Sequence, residues 1–222
     1  MKEIYLTIDD GPSATTSQKV EWLAERGVPA MLFCIGSHLV THMASAVDAI
    51  RRGFWIGNHA YSHRRFSSLD AEVWREELRA TEALITAAYA HAGTERRHKL
   101  FRFPFGDKGG SRRADIQALL RDEGFAQPSF RGVTYRQYIE RGYDRDADCS
   151  WTVESYEYRI QAAADNFALL RAPHQRTAGS IEDPSSADIL LIHDHAATTD
   201  VFFAILDELL TMDLCFVLPQ LS

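Results

Sequence analysis

The stretch Thr7-Ile8-Asp9-Asp10-Gly11-Pro12-Ser13 closes an alternating apolar run formed by Ile4, Leu6 and Ile8. Alternation at period two reads as a β-strand, and the Gly-Pro pair stops it. Both carboxylates therefore stand at the carboxyl end of a strand, where α/β folds gather their chemistry. Adjacent carboxylates repel, so keeping both ionised calls for a metal or a cationic partner. Taken alone, the same residues also suit a turn in which Asp bonds its own backbone. What lies downstream decides between the two.

Outward from this strand, the chain alternates strand and helix. Helical spacing runs from Thr16 to Arg26 and stops at Gly27, a natural residue for ending a helix. Pro29 to Ile35 reads as a buried strand, Val40 to Arg52 as a helix, and Phe54 to Ile56 as a third strand. Asp70 to Ala92 carries the longest helical pattern and is closed by Gly93; Leu100 to Phe103 is strand-like, and Arg113 to Glu123 is helical. Phe125 to Ser150 breaks the pattern and reads as an insertion, with partial helix around Tyr135 to Arg141, that can shape a substrate groove. Then follow a strand at Ser150 to Val153, a helix at Ile160 to Leu170, and a strand at Asp188 to Ile192. A helix capped by Thr199 or Asp200 runs through Leu210, and Cys215 to Leu218 is the last strand. This order predicts an α/β fold with a parallel sheet, open or closed into a barrel, in one domain over residues 1–222.

Composition narrows the function. The 222 residues carry a formal net charge of -7, and their basic residues occur as isolated pairs such as Arg64-Arg65. No nucleic-acid groove is expected from that distribution. No apolar window approaches the roughly eighteen residues of a membrane span, so no membrane partner is expected. The amino terminus runs directly into the first strand without a leader pattern, which implies a cytoplasmic protein if Met1 is the natural start. The three cysteines, Cys34, Cys149 and Cys215, are odd in number and widely spaced, and do not read as a disulfide framework.

Three further segments carry chemistry. His59 and His63, four residues apart, can face one way on a helical turn and share a metal. They follow a strand, as Asp9-Asp10 does, so the groups should meet at one end of the sheet. One carboxylate with two imidazoles makes a three-ligand catalytic site with open positions. Arg102, after a strand and before the Pro104–Gly106 turn, can hold an Asp ionised and oriented, or can lie as a snorkelling surface residue. His193 ends the most apolar strand, where an imidazole can act as acid or base, or can simply be a bonded core residue. His38, His42, His91, His98 and His174 are read as surface residues, and His195 as near the site but turned away from it.

The segments Thr7–Pro12, His59–His63, Arg102–Gly106 and Leu191–Asp194 resemble signature motifs of the NodB-homology polysaccharide deacetylases, carbohydrate esterase family four, in the family's order. The resemblance implies a distorted (β/α) barrel with outer helices, and a metal-dependent hydrolase that removes N- or O-acetyl groups from an acetylated carbohydrate. It implies Asp10, His59 and His63 as metal ligands, with Zn²⁺ the usual occupant and Co²⁺, Ni²⁺ or Mn²⁺ as substitutes. It implies Asp9 as general base, Arg102 as its orienting partner and His193 as general acid. Phe105 would offer a backbone N–H to the oxyanion, and Leu191 would form part of the acetyl-methyl pocket.

One family motif departs from its usual form. The nearest match is Trp151-Thr152-Val153-Glu154-Ser155-Tyr156-Glu157-Tyr158. Glu157 would replace the Asp that pairs with the acid histidine, with Asp148 as a rival, and Tyr158 would replace a Trp beside Trp151 in the pocket wall. Two other readings stay open: a hydrolase of a non-sugar amide or ureide on the same fold, and a non-catalytic carbohydrate-binding relative.

Overall fold

The computed structural model describes residues 1–159 and 163–220. Its centre is strand β1 (Lys2–Gly11), which pairs in parallel with β2 (Ala30–Cys34) and with β5 (Asp188–His193). Strand β3 (Trp55–Asn58) extends the sheet beyond β2, and β4 (Val153–Glu154) extends it beyond β5. The order is β3-β2-β1-β5-β4, and β6 (Leu214–Phe216) pairs with the beginning of β1.

The period-two pattern sorts side chains onto two faces. Ile4, Leu6 and Ile8 of β1 join Ala30, Leu32 and Cys34 of β2 and Leu190 and Ile192 of β5 in the core beneath the helices. Tyr5, Met31, Phe33 and Ile189, of opposite parity, meet in a second cluster on the inner face. Thr7 and Asp9 continue the Tyr5 row, and Leu191 and His193 continue the Ile189 row. The strand register sets Asp9 directly opposite His193.

Irregular backbone brings the sheet round into a distorted barrel. Asn58 N–H donates to Leu100 O at 2.8 Å, Arg102 N–H to Asn58 O at 3.0 Å, and Cys149 N–H to Phe101 O at 2.8 Å. Thr152 N–H then donates to Ile189 O at 2.9 Å, which returns the chain of bonds to β5. The strand expected at Leu100 to Phe103 is reduced to one bridge, Asn58 to Phe101, because Pro104 offers no N–H to extend it. The strand expected at Ser150 to Val153 shortens to β4 because the Thr152 hydroxyl, not a carbonyl, accepts the Ile189 N–H at 2.8 Å.

Helices α1 (Thr16–Glu25), α2 (Gly36–Arg51) and α3 (Ala71–Ala92) cover one side. Helix α3 ends as expected at Gly93, whose φ of 70° lets its N–H bond back to Ala90 O. Helix α4 (Arg113–Asp122) and the short α5 (Arg136–Glu140) follow. Helix α6 (Ala163–Arg171) begins within the expected Ile160 to Leu170 pattern, whose first three positions lie outside the described residues. Helix α7 (Thr199–Leu210) has no side-chain cap, since the Thr199 hydroxyl bonds Ala196 O at 2.9 Å instead.

The segment 125–150 does not line the cavity described below. It buries Tyr135 and Tyr138 against the inner-face cluster and closes the opposite end of the barrel, where Tyr5 Oη donates to Arg131 O at 2.9 Å. That part acts as a floor, while Tyr143, Asp148, Cys149 and Ser150 line a smaller pocket beside the Gly106, Trp151, His174 and Arg176 wall of the main cavity.

Behind β1 and β5, Lys19 Nζ sits 2.7 Å from Asp194 Oδ1, and both side chains are buried. Asp194 also accepts hydrogen bonds from the Ser13 N–H and from the Ser13 and Thr16 hydroxyls. Removing one member of a buried pair leaves the other charge uncompensated. Lys19→Ala is expected to cost about 3–5 kcal/mol in urea unfolding; a loss below about 1 kcal/mol, the exposed-pair value, would contradict this.

Candidate active site

Every strand that carries a chemical group ends at the same mouth. Asp9 and His193 arrive there by inner-face parity. Asp10 would point outward by alternation, but its φ of 66° breaks the strand, and a register shift between Asp9 and Gly11 marks the break. That twist turns a second carboxylate into the same space.

The two carboxylates are kept apart by different partners. Asp9 Oδ1 accepts from Arg102 Nη1 at 2.9 Å, and the same nitrogen donates to the Thr7 hydroxyl at 2.7 Å. Arg102 is buried, stacks 4.4 Å from the Phe33 ring centre, and donates through Nε to Cys149 O at 2.9 Å. It is not a snorkelling surface residue. Asp10 Oδ1 faces His63 Nε2 at 3.1 Å and His59 Nε2 at 3.3 Å. The ligating atoms of Asp10, His59 and His63 all lie within 4.8 Å of one another.

The local conformation of the histidine segment differs from the expected helical turn. His59 to His63 is a bent loop in which Ala60 and His63 take φ of 62° and 54°. Asn58 Oδ1 accepts the Ala60 N–H at 2.9 Å, and Glu77 accepts the Tyr61 and Ser62 N–H groups, each at 2.8 Å. These bonds replace the helical ladder and still aim both imidazoles at Asp10. His59 is oriented by Nδ1 against Arg102 O at 2.8 Å, leaving Nε2 for the site.

Asp10 Oδ1 is buried and has no hydrogen-bond partner among the described residues. A buried carboxylate oxygen without a donor, flanked by two imidazole nitrogens, fits a divalent cation. Burial pushes the Asp10 carboxyl upward, but the His195 hydrogen bond to Oδ2 and the nearby His59 and His63 imidazoles hold it far below the ordinary carboxylate range.

Across the mouth, Glu157 Oε1 accepts both the His193 Nδ1 and the His193 backbone N–H, each at 2.8 Å. Glu157 is fully buried and also receives the Ser155 hydroxyl. Asp148, the rival partner, lies elsewhere and is held by Lys108 at 2.8 Å and Gln117 at 2.6 Å. Burial alone would lower the His193 pKa; the Glu157 hydrogen bond and charge overcome it and push it up to about 9. Glu157 is correspondingly held below its usual value, against the upward pull of burial.

Asp9, Asp10, His59, His63 and His193 line a cavity of about 680 Å³ together with Phe105, Trp151, Tyr158 and Leu191. Tyr158 packs edge-on to His193 at 5.0 Å. Phe105 has a φ of 59°, and its N–H has no hydrogen-bond partner among the described residues.

Three histidines were misread from sequence. His195 does not turn away: its Nε2 lies 2.8 Å from Asp10 Oδ2, and its ring stacks on His193 at 5.4 Å. The signal was present, since residues 193 and 195 share strand parity. His174, assigned to the surface, is largely buried and lines the cavity; His38 is exposed, as that assignment has it, and places Nδ1 2.8 Å from Asp10 O at the cavity's edge. His98 is half-buried and lies against the Trp55 ring at 4.0 Å.

The family profile described as polysaccharide deacetylase matches residues 1–126. The chain belongs to the polysaccharide deacetylase family. A chitooligosaccharide deacetylase from Rhizobium leguminosarum bv. trifolii is 34% identical over 88 residues, 39% of this chain and 41% of that protein. The chain spans less than two thirds of the length of the curated relatives it matches first. A family 4 carbohydrate esterase from Streptomyces lividans, solved with acetate, superposes with a TM-score of 0.68 at 20% identity, covering 99% of this chain and 98% of that one. BA3943, a family 4 pseudoenzyme from Bacillus anthracis, superposes with a TM-score of 0.63 at 19% identity, covering 95% and 61%. These likenesses establish the distorted-barrel fold of this family.

The Glu157–His193 contact has a direct readout. Glu157→Gln removes the charge that raises His193, so the His193 pKa should fall from about 9 toward the ordinary histidine range. Titration of the imidazole by NMR in metal-free protein measures it; an unchanged value would mean that another group raises His193.

Proposed function

We propose that this family member is a metal-dependent hydrolase that removes acetyl groups from an acetylated carbohydrate, with the residues around Asp10 and His193 as its machinery. The observation that carries the reading is the unpartnered, buried Asp10 Oδ1 between the His59 and His63 nitrogens, beside a second carboxylate that a buried arginine already holds.

Asp10, His59 and His63 would hold the metal, with Zn²⁺ the first choice for a carboxylate and two imidazoles. When bound, the ion supplies Lewis-acid polarisation and lowers the pKa of a water in the site. Asp9 then has a separate duty. Its Oδ1 is committed to Arg102, while Oδ2, 3.7 Å from His59 Nε2, is free to accept the proton of the attacking water. The Phe105 N–H is the donor for the oxyanion that develops on the acetyl carbonyl.

His193 acts on the other side. Its Nδ1 is committed to Glu157, which leaves Nε2 as the proton donor to the departing amine. An amine leaves poorly as an anion, so this protonation precedes C–N cleavage. Leu191, Trp151 and Tyr158 provide the apolar wall for the acetyl methyl group. Glutamate serves the pairing, its Oε1 reaching both the His193 ring and the His193 backbone N–H at 2.8 Å.

The pseudoenzyme likeness favours one competing reading, a non-catalytic glycan-binding protein. This chain keeps the base, the acid and three ligands, which argues for turnover. Glycan binding without acetate release by the metal-loaded protein would favour the competitor, and release from small non-sugar amides alone would favour the amide or ureide reading.

His59→Ala is expected to abolish metal binding in elemental analysis. His193→Ala should keep the metal and lower turnover by about a hundred- to ten-thousand-fold. Both variants retaining metal would overturn the ligand assignment. Because the acid form of His193 is present below a pKa of about 9, kcat should fall as pH rises through that region. The charge of a bound cation offsets that of Asp10, which places the alkaline limb at or below that value.

A further inference from the structure

The mouth of the cavity is more cationic than the chain around it. The protein carries a net charge of -7, yet Arg65, Arg159 and Arg176 all line this cavity. They come from three separated loops. Among the described residues none of the three makes an ion pair, whereas Arg96, Arg102 and Arg113 each lie against a carboxylate. The acid nearest the rim, Glu154, is engaged by the Tyr158 hydroxyl at 3.1 Å and by His174 Nε2 at 3.8 Å.

Aromatic and backbone surfaces hold these guanidiniums in place of acids. Arg65 lies 4.5 Å over the Phe105 ring, and Arg159 lies 4.3 Å over the Tyr156 ring. Arg176 Nη1 passes where Gly106 has no side chain: a Cβ there would meet it at 2.8 Å and the Trp151 ring at 2.7 Å. A guanidinium stacked on a ring keeps its planar fork of N–H donors free. Such forks match a carboxylate or a phosphate in two-point hydrogen bonds. Phe105 belongs to the oxyanion side of the site and Tyr158, beside Tyr156, to the leaving-group side. The cations therefore flank the acetyl position on both sides.

We infer that the substrate is an anionic acetylated sugar, whose carboxylate or phosphate is received by Arg65, Arg159 and Arg176 at the cavity mouth. This rests on the deacetylase reading above and adds the charge of the substrate to it. The three arginines are exposed, and a neutral sugar would offer their forked N–H donors no charged partner.

The test compares one N-acetylated aminosugar bearing a carboxylate arm with its methyl amide, and with the same sugar carrying a phosphate in place of the arm. Zinc-loaded protein at low ionic strength is expected to release acetate from an anionic form with kcat/KM about tenfold or more above the amide. The advantage should shrink as salt screens the rim. In the triple variant R65Q/R159Q/R176Q the ratio of anionic to neutral kcat/KM should fall toward unity. A carboxylate preference or a phosphate preference each supports the inference and identifies the anion. Equal kcat/KM for acid, phosphate and amide in the parent overturns it, as does a ratio unchanged in the triple variant. If no acetate is released from any of the three, the deacetylase reading fails. Calorimetric binding of acid, phosphate and amide then gives the same comparison: preference for an anion supports the rim assignment, and equal affinity overturns it.

Discussion

Two carboxylates in adjacent positions at the end of β1 are the constraint that organises this molecule. Side by side in a largely buried mouth, they could not both stay charged without separate compensation. Asp9 receives a buried guanidinium that threads through the barrel interior, stacked on Phe33 and anchored by Thr7 and the Cys149 carbonyl. Asp10 receives a ring of imidazoles. The division follows from one backbone event, the left-handed conformation at Asp10, which converts an alternating strand into two groups facing one space from different angles. Arg102 is costly to bury and would be poorly satisfied if either Asp9 or the surrounding carbonyls were absent. The barrel interior and the site are thus one electrostatic object.

Much of this was legible in the chain. Strand parity in Ile4, Leu6 and Ile8 fixed which residues face the helices, and by exclusion which face the mouth. Parallel strands end on the same side, so groups after β1, β3 and β5 had to converge. Helix limits followed from residues such as Gly93, whose positive φ ends α3. What stayed hidden depended on partners distant in sequence. Arg102 could be read either as a surface residue or as a clamp, because only the fold shows what surrounds its guanidinium. Asp148 rivalled Glu157 in the sequence, and only the fold shows that Lys108 and Gln117 hold it elsewhere. His38 and His174 belong to the mouth only because α2 and the loop after α6 bring them there.

Two features differ from what spacing and composition alone suggest. The spacing of His59 and His63 suits a helical turn, but Asn58 and Glu77 satisfy the segment's N–H groups from the side, so loop geometry achieves what a helix would. The 125–150 stretch looked like a groove wall because it is polar and aromatic. Tyr135 is buried at the opposite end, where Lys2 and Asp188 need hydrogen-bonding partners away from water.

Asp194 carries an implication for motion. Lying between His193 and His195, it reaches across to Ser13, Thr16 and Lys19 in the turn and helix that follow β1. The end of β5 that bears His193 is thereby riveted to the turn that follows Asp9 on β1, and neither can swing without breaking a buried charge pair. The spacing between these two side chains is consequently set when the chain folds. Any change in the shape of the mouth falls to the outer segments carrying Arg65, Arg159 and Arg176, so constancy and adaptability reside in separate parts of the molecule.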